Sequence, residues 1–217
     1  MMAFEIDVPE EQRNEITGYI SASLRTDAVP KRVWCCYENT RLVEMIATAL
    51  DVRPDYAAYE LAVTRSEFER WEEPVIGYNY RTSGYSQDEA DDYVSILDRS
   101  MEHLSDGYFL DRKAEYAKRW SLNSQDNYFV SLICGSKCVG MCHGWRSEIE
   151  RLAVDRNHRR KGCGYALLYE TLSQMLSNRD DGSAICLYVV ESNYAAKEFY
   201  VHVGMRTTGH SARFTIS

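Results

Sequence analysis

The apolar run Leu152-Ala153-Val154 leads through a polar loop into Arg159-Arg160-Lys161-Gly162-Cys163-Gly164, and from there into a stretch with Ala166, Leu167, Tyr169, Leu172 and Leu176 at helical spacing. A strand feeding a glycine-bearing turn at a helix start restricts the chain to α/β architectures and creates an anion site. The first turn of a helix has N–H groups without intrahelical acceptors, and its dipole favours negative charge. Glycine at 162 and 164 lets the backbone approach a phosphate closely and adopt dihedrals closed to other residues. Each amide hydrogen bond to a charged oxygen is worth about 1.5–3 kcal/mol, and Arg159, Arg160 and Lys161 add charge and donors. Two familiar phosphate loops do not fit. The GxxxxGK[ST] pattern is absent, and the third glycine of a dinucleotide fingerprint would fall at Leu167.

Periodicity along the chain predicts helices over residues 11–25 and 40–50, with strands over 33–37 and 56–63. Residues 64–74 are rich in charge, carry the cap signal Thr64-x-x-Glu67 and read as a boundary. A strand over 75–81 follows, then a helix opened by a Ser86-x-x-Glu89 capping box and another over 112–120. Residues 128–143 read as a hairpin turning at Gly135-Ser136-Lys137. Beyond it come a strand over 149–154, the helix over 162–176, a strand over 184–190, a helix over 193–203 and one or two strands over 205–216. The second part is therefore β-α-α-β-β-β-α-β-α-β, a mixed α/β (α+β) pattern.

Composition narrows the function classes. The 217 residues carry a net charge of -8, which disfavours general nucleic-acid binding and suits cationic substrates such as amines. No apolar run approaches the ~20 residues needed to span a bilayer. Residues 1–12 hold three glutamates and an aspartate, unlike a secretory or mitochondrial leader, so a cytoplasmic location is expected. The seven cysteines lack disulfide-scaffold spacing. Cys134, Cys138 and Cys142 recur near His143, but without a CxxC pair they read better as thiols flanking a hairpin than as zinc ligands, and no metal is expected.

The loop resembles the acyl-CoA signature [RQ]-x-x-G-x-[GA] of the GNAT N-acetyltransferase superfamily, with Arg159, Gly162 and Gly164 at its fixed positions. A second element, Asn193-x-x-Ala196-x-x-Phe199-Tyr200-x-x-x-Gly204-Met205, resembles the family's closing N-x-x-A-x-x-x-Y-x-x-x-G-F pattern, with Met205 in place of phenylalanine. The resemblance spans residues 75–217. It implies a GNAT-like acyltransferase fold, with a splayed central mixed sheet flanked by helices, that binds acetyl-CoA. The pantetheine arm would lie along Leu152, Ala153 and Val154, and the pyrophosphate on Arg159, Arg160, Lys161, Gly162, Cys163, Gly164 and Tyr165. Asn193 and Tyr200 would lie near the thioester.

The implied reaction is direct attack of an amine on the thioester within a ternary complex. Freeing the lone pair of an alkylammonium of pKa ~10.4 at neutral pH costs about 4–5 kcal/mol, so a general base helps. Tyr200 matches the family's general acid for the leaving thiolate. Glu150 and Glu148, two apart on one strand and thus on the same side, are the candidate bases, with Glu191, His143 and His202 behind them. The acceptor, a small-molecule amine, peptide N-terminus or lysine, cannot be read from the sequence. The rival expectation is an acyl-CoA-binding regulatory or interaction module that keeps the fold with little catalysis.

Shifted by 154 positions, the ends of the chain resemble each other: residues 33–39 fall on 187–193, and Asn39 meets Asn193. Residues 1–65 thus resemble a degenerate C-terminal half of a GNAT domain, joined by a linker over 66–74 to the domain of 75–217. Residues 1–15 lack glycine, and Ile46 and Leu50 stand where the tyrosine and glycine would be, so this half is expected to make contacts rather than catalyse. It would add to the sheet or support a homodimer.

Overall fold

The computed structural model describes residues 2–4, 31–37, 48, 53–101, 107–177, 179 and 182–216. The helices expected over 11–25 and 40–50 lie outside these residues, apart from helical Thr48. In chain order come β1 (Met2–Phe4), β2 (Lys31–Tyr37), β3 (Tyr56–Val63), α1 (Arg65–Phe68), β4 (Tyr80–Ser83), α2 (Ala90–Ser100), α3 (Lys113–Trp120), β5 (Asn127–Cys134), β6 (Lys137–Trp145), β7 (Glu148–Val154), α4 (Cys163–Ser177), β8 (Ile185–Val190), α5 (Tyr194–His202) and β9 (Arg206–Ile216). They form two compact units, one of Met1–Ala62 with Tyr188–Ser217 and the other of Val63–Leu187.

In the first unit, β9 runs antiparallel to β2 on one side and to β3 on the other, and β1 lies parallel to β2. The residues expected as one or two closing strands form a single strand. Residues 31–37 thus pair with the chain's last strand.

The second unit carries strands in the order β8-β7-β6-β5-β4. The β5–β6 hairpin turns through Gly135 at φ 62°, a left-handed conformation suited to glycine. β6 continues antiparallel into β7, whereas β7 and β8 are parallel and pair only at Glu148↔Cys186 and Ile149↔Leu187. This early end to the parallel ladder is the expected splay, and it makes the sheet a mixed one.

Helices cover both faces. Tyr93, Val94, Ile96 and Leu97 of α2 and Trp120 of α3 pack on Phe129, Ile133, Cys138, Met141 and Ala153. On the other face α4 presses so close that a Cβ at Gly140 would meet Leu167 Cδ1 at 2.9 Å. Register shifts at Leu132/Ile133 put Cys138 on the α2 side and Cys142 against Thr171 of α4. The two thiols therefore face opposite layers and cannot share one ion.

The Thr64 signal holds: the Glu67 carboxylate accepts from the Thr64 N–H at 2.8 Å, and α1 follows. Arg65 then donates to the Leu176 and Arg179 carbonyls at the end of α4. Two expectations are corrected. The strand read over 75–81 begins only at Tyr80, because Tyr80 pairs with Cys134, the last residue of β5, and no strand extends beyond that turn to receive residues 75–79. The Ser86 box does not close, because Glu89 accepts from the Tyr93 hydroxyl at 2.6 Å while that hydroxyl accepts from the Ser86 N–H at 3.2 Å. A buried tyrosine needing partners for its hydroxyl displaces the local cap. Among the described residues no helix is long and apolar enough to cross a membrane.

Candidate active site

The loop between β7 and α4 is held from several sides. Asp155 accepts from the Asn157 N–H at 3.0 Å and pairs with Arg99 of α2 at 3.2 Å. Arg159 folds back, its Nε donating to the Val154 carbonyl at 3.0 Å and its Nη2 to Ser100 Oγ at 3.2 Å. The Lys161 ammonium donates to the Asn157 carbonyl at 2.9 Å. Arg160 and Gly162 take positive φ of 59° and 78°. The helix then starts with the Ala166 N–H donating to the Gly162 carbonyl at 2.9 Å. By helical geometry, the N–H groups of Cys163, Gly164 and Tyr165 precede any intrahelical acceptor and are available to an anion. Leu152, Ala153 and Val154 form the end of β7 that has lost β8 as a neighbour. The sequence-predicted cofactor residues from Leu152 to Tyr165 are therefore brought together on one strand, loop and helix start. Arg159 braces the loop rather than projecting from it.

A cleft of about 280 Å3 lies nearby in the same unit, lined by Glu115 and Tyr116 of α3, Arg119, and Glu148, Glu150 and Arg151 of β7. Both predicted glutamates face it. Arg151 joins them because the β6–β7 register shifts between His143 and Gly144, leaving Glu150 as an extra residue between Ile149 and Arg151.

Glu150 is the better-connected carboxylate. Oε1 is ion-paired with Arg119, and Oε2 lies 3.1 Å from Nδ1 of His143, which is fully buried. The other ring nitrogen, Nε2, lies 2.9 Å from Asn127 Oδ1. Burial pushes the Glu150 pKa up, but His143, Arg119 and Arg151 pull it further down, so the net shift is below the ordinary carboxylate value. Burial lowers the His143 pKa, and Glu150 only partly restores it. The sequence left His143 among secondary candidates and missed Arg119 and Asn127. The usable signal was the hairpin itself, since pairing His143 with Phe129 sets Asn127 two residue pairs away on the same face.

In the other unit, Asn193 caps α5, its Oδ1 accepting from the Ala196 N–H at 3.2 Å. Tyr200 is buried on that helix with its ring 5.1 Å from Phe199. Glu191 Oε1 accepts from the Tyr59 hydroxyl at 3.4 Å and lies 3.9 Å from His210 Nε2. His202 is exposed at the end of α5.

A mixed sheet whose parallel pair parts beside a glycine turn at a helix start defines the class: an α/β fold of the acyltransferase type. The chain belongs to the acetyltransferase (GNAT) family, whose model matches residues 84–205, more than half of its length. Among solved structures it is similar to a GCN5-related N-acetyltransferase from Sphaerobacter thermophilus (TM-score 0.66, 16% identity, covering 87% of this chain and 60% of that one). It is also similar to a GNAT-family acetyltransferase from Colwellia psychrerythraea (0.59, 12%, 96% and 75%) and to a tandem GNAT protein from the clavulanic acid biosynthesis pathway (0.58, 11%, 93% and 68%). The chain thus spans only three-fifths of the Sphaerobacter protein, and at these identities the likeness establishes the fold alone. No curated protein sequence matches it.

Proposed function

We propose that the chain is an N-acetyltransferase that moves an acetyl group from acetyl-CoA to an amine by direct attack in a ternary complex. The observation that carries this reading is the open first turn of α4, with its Cys163, Gly164 and Tyr165 N–H groups, set beside the end of β7 that does not pair with β8. The backbone there fits a diphosphate: Gly162 holds a φ of 78° that a side chain would strain, and Arg160 and Lys161 supply charge. When bound, acetyl-CoA supplies an activated acetyl thioester. The amides of 160–165 would bind its pyrophosphate, and the backbone of Leu152 and Val154 its pantetheine arm. Glu150 would accept the proton of the incoming ammonium, with Glu148 beside it favouring a cationic acceptor. Tyr200 would protonate the departing thiolate, and Asn193 would orient the loop that precedes α5.

Cys134, Cys138, Cys142, Cys163 and Cys186 are free thiols, which fits a protein working in the reducing cytoplasm. The test is a thiol-release assay with acetyl-CoA against polyamines, aminoglycosides, amino acids and peptide N-termini. Release with one amine class is the expected result. Acetyl-CoA binding by calorimetry with no release for any acceptor would return the chain to the regulatory-module reading. No binding would remove the cofactor assignment.

A further inference from the structure

His143 lies behind Glu150, in the interior of the α2–α3 side of the sheet, and the acetyl-transfer reading gives it no role. Its surroundings specify where its proton sits. Both N–H bonds of the Asn127 amide are in use, donating to the Trp120 carbonyl at 2.9 Å and the Leu122 carbonyl at 2.8 Å. The amide oxygen is therefore the atom turned to His143 Nε2 at 2.9 Å, and an amide oxygen only accepts. Nε2 must carry a hydrogen. A neutral imidazole has a single N–H, so Nδ1 presents a lone pair to Glu150 Oε2 at 3.1 Å. Two acceptors face each other across a gap sized for one proton.

We infer that Glu150 and His143 form a single-proton dyad in which Asn127 holds the imidazole as an Nε2–H tautomer, and Glu150 passes the proton taken from the substrate ammonium to His143 Nδ1. The inference rests on the acetyl-transfer reading of the same cleft. In the step, an N–H bond of the ammonium breaks and its electron pair stays on nitrogen for the attack. The proton bonds first to the Glu150 carboxylate and then to Nδ1, leaving an imidazolium beside a restored carboxylate. After the product leaves, the proton returns through Glu150 to water in the cleft. His143 is a positioning residue here, since it reaches the substrate only through Glu150.

The charged groups around the pair suit this task. Arg119 of α3 and Arg151 of β7 act on both partners and keep Glu150 ionised while opposing charge on the ring. Glu148 and Glu115 line the cleft from β7 and α3. Trp120 and Phe129 pack around the ring at centroid distances of 6.5 and 6.2 Å, and Asn127 of β5 closes the fourth side.

The test combines imidazole NMR with pH–rate profiles. Nitrogen-edited spectra of the wild-type protein, free of substrates, should show neutral His143 protonated at Nε2 and bare at Nδ1. Glu150→Gln should lower the His143 titration midpoint by about one unit or more, because a charge that stabilises the imidazolium is gone. The ascending limb of kcat/KM against pH in the wild type should share the His143 midpoint. In His143→Gln, kcat/KM should fall about tenfold or more and that limb should move toward the carboxylate range. A neutral ring protonated at Nδ1, or a limb that stays in place in His143→Gln, overturns the dyad. If no amine releases thiol, the transfer reading falls with the relay, and the ring tautomer, measured without substrate, still decides the dyad itself.

Discussion

Gly144 of β6 lies directly under Met175 of α4: a Cβ at position 144 would sit 2.6 Å from the methionine sulfur and 3.2 Å from its methyl group. Met175 is fully buried, so the side chain has little room to yield. Gly144→Val is expected to lower unfolding free energy by about 1–3 kcal/mol, the usual cost of overpacking. Denaturant melts check this. Pairing the change with Met175→Ala should recover part of the loss.

Gly162 has space around a Cβ, with Ile76 and the Val75 carbonyl at 3.6 Å, so its constraint is the positive φ of 78°. Gly162→Val should strain the turn and weaken acetyl-CoA binding about tenfold or more, at about 1–2 kcal/mol for a left-handed conformation. Arg159→Ala should weaken binding too, by releasing the loop from Val154 and Ser100. Calorimetry on both variants measures the effect, and unchanged affinity in both would remove the loop from the site.

Tyr200→Phe is expected to reduce kcat about a hundredfold while the Kd for acetyl-CoA barely changes, because a general acid acts in the transition state. Turnover within a factor of about two of wild type would exclude the acid role.

Stability should depend on pH through His143. Its folded pKa lies below the ordinary ~6.5, so below that pH the unfolded chain binds a proton that the folded chain resists. The contribution is complete above pH ~6.5 and is lost as the pH falls through the folded value. Glu150, also depressed, adds a loss of the same sign below its ordinary 4.5. Thermal melts at pH 7.5 and 5.5 should show a smaller drop in Tm for His143→Gln than for wild type.

Burial pushes the Cys138 and Cys142 thiols up to about 12, which leaves almost no thiolate at neutral pH. Mass-mapped alkylation of the native protein should label Cys134 and Cys186, both half-exposed, well before Cys138 and Cys142.

The parts of the fold legible in the sequence are those where local pattern and tertiary need agree. Gly162 and Gly164 marked the start of α4, Gly135 marked the hairpin turn, and the strand expected over 56–63 became β3 with the same bounds. Misreadings arose where distant residues decided. Residues 75–79 have strand composition but no strand to pair with, since β5 ends at Cys134. Glu89 has capping spacing but serves Tyr93. Strand alternation correctly set Glu148 and Glu150 toward one cleft, but it could not foresee the shift that turns Arg151 the same way. Arg119 reaches Glu150 from 31 positions away, a relation that only the packing of α3 on the sheet creates.

The placement of β2 has a consequence for self-association. From His210 to Arg213, the closing strand is bonded on both flanks, to residues 34–37 on one side and 56–59 on the other. It has no backbone donors or acceptors left there to template a strand from another molecule. Removing the first 37 residues would lay that border bare, and the shortened chain should form concentration-dependent assemblies more readily than the full one.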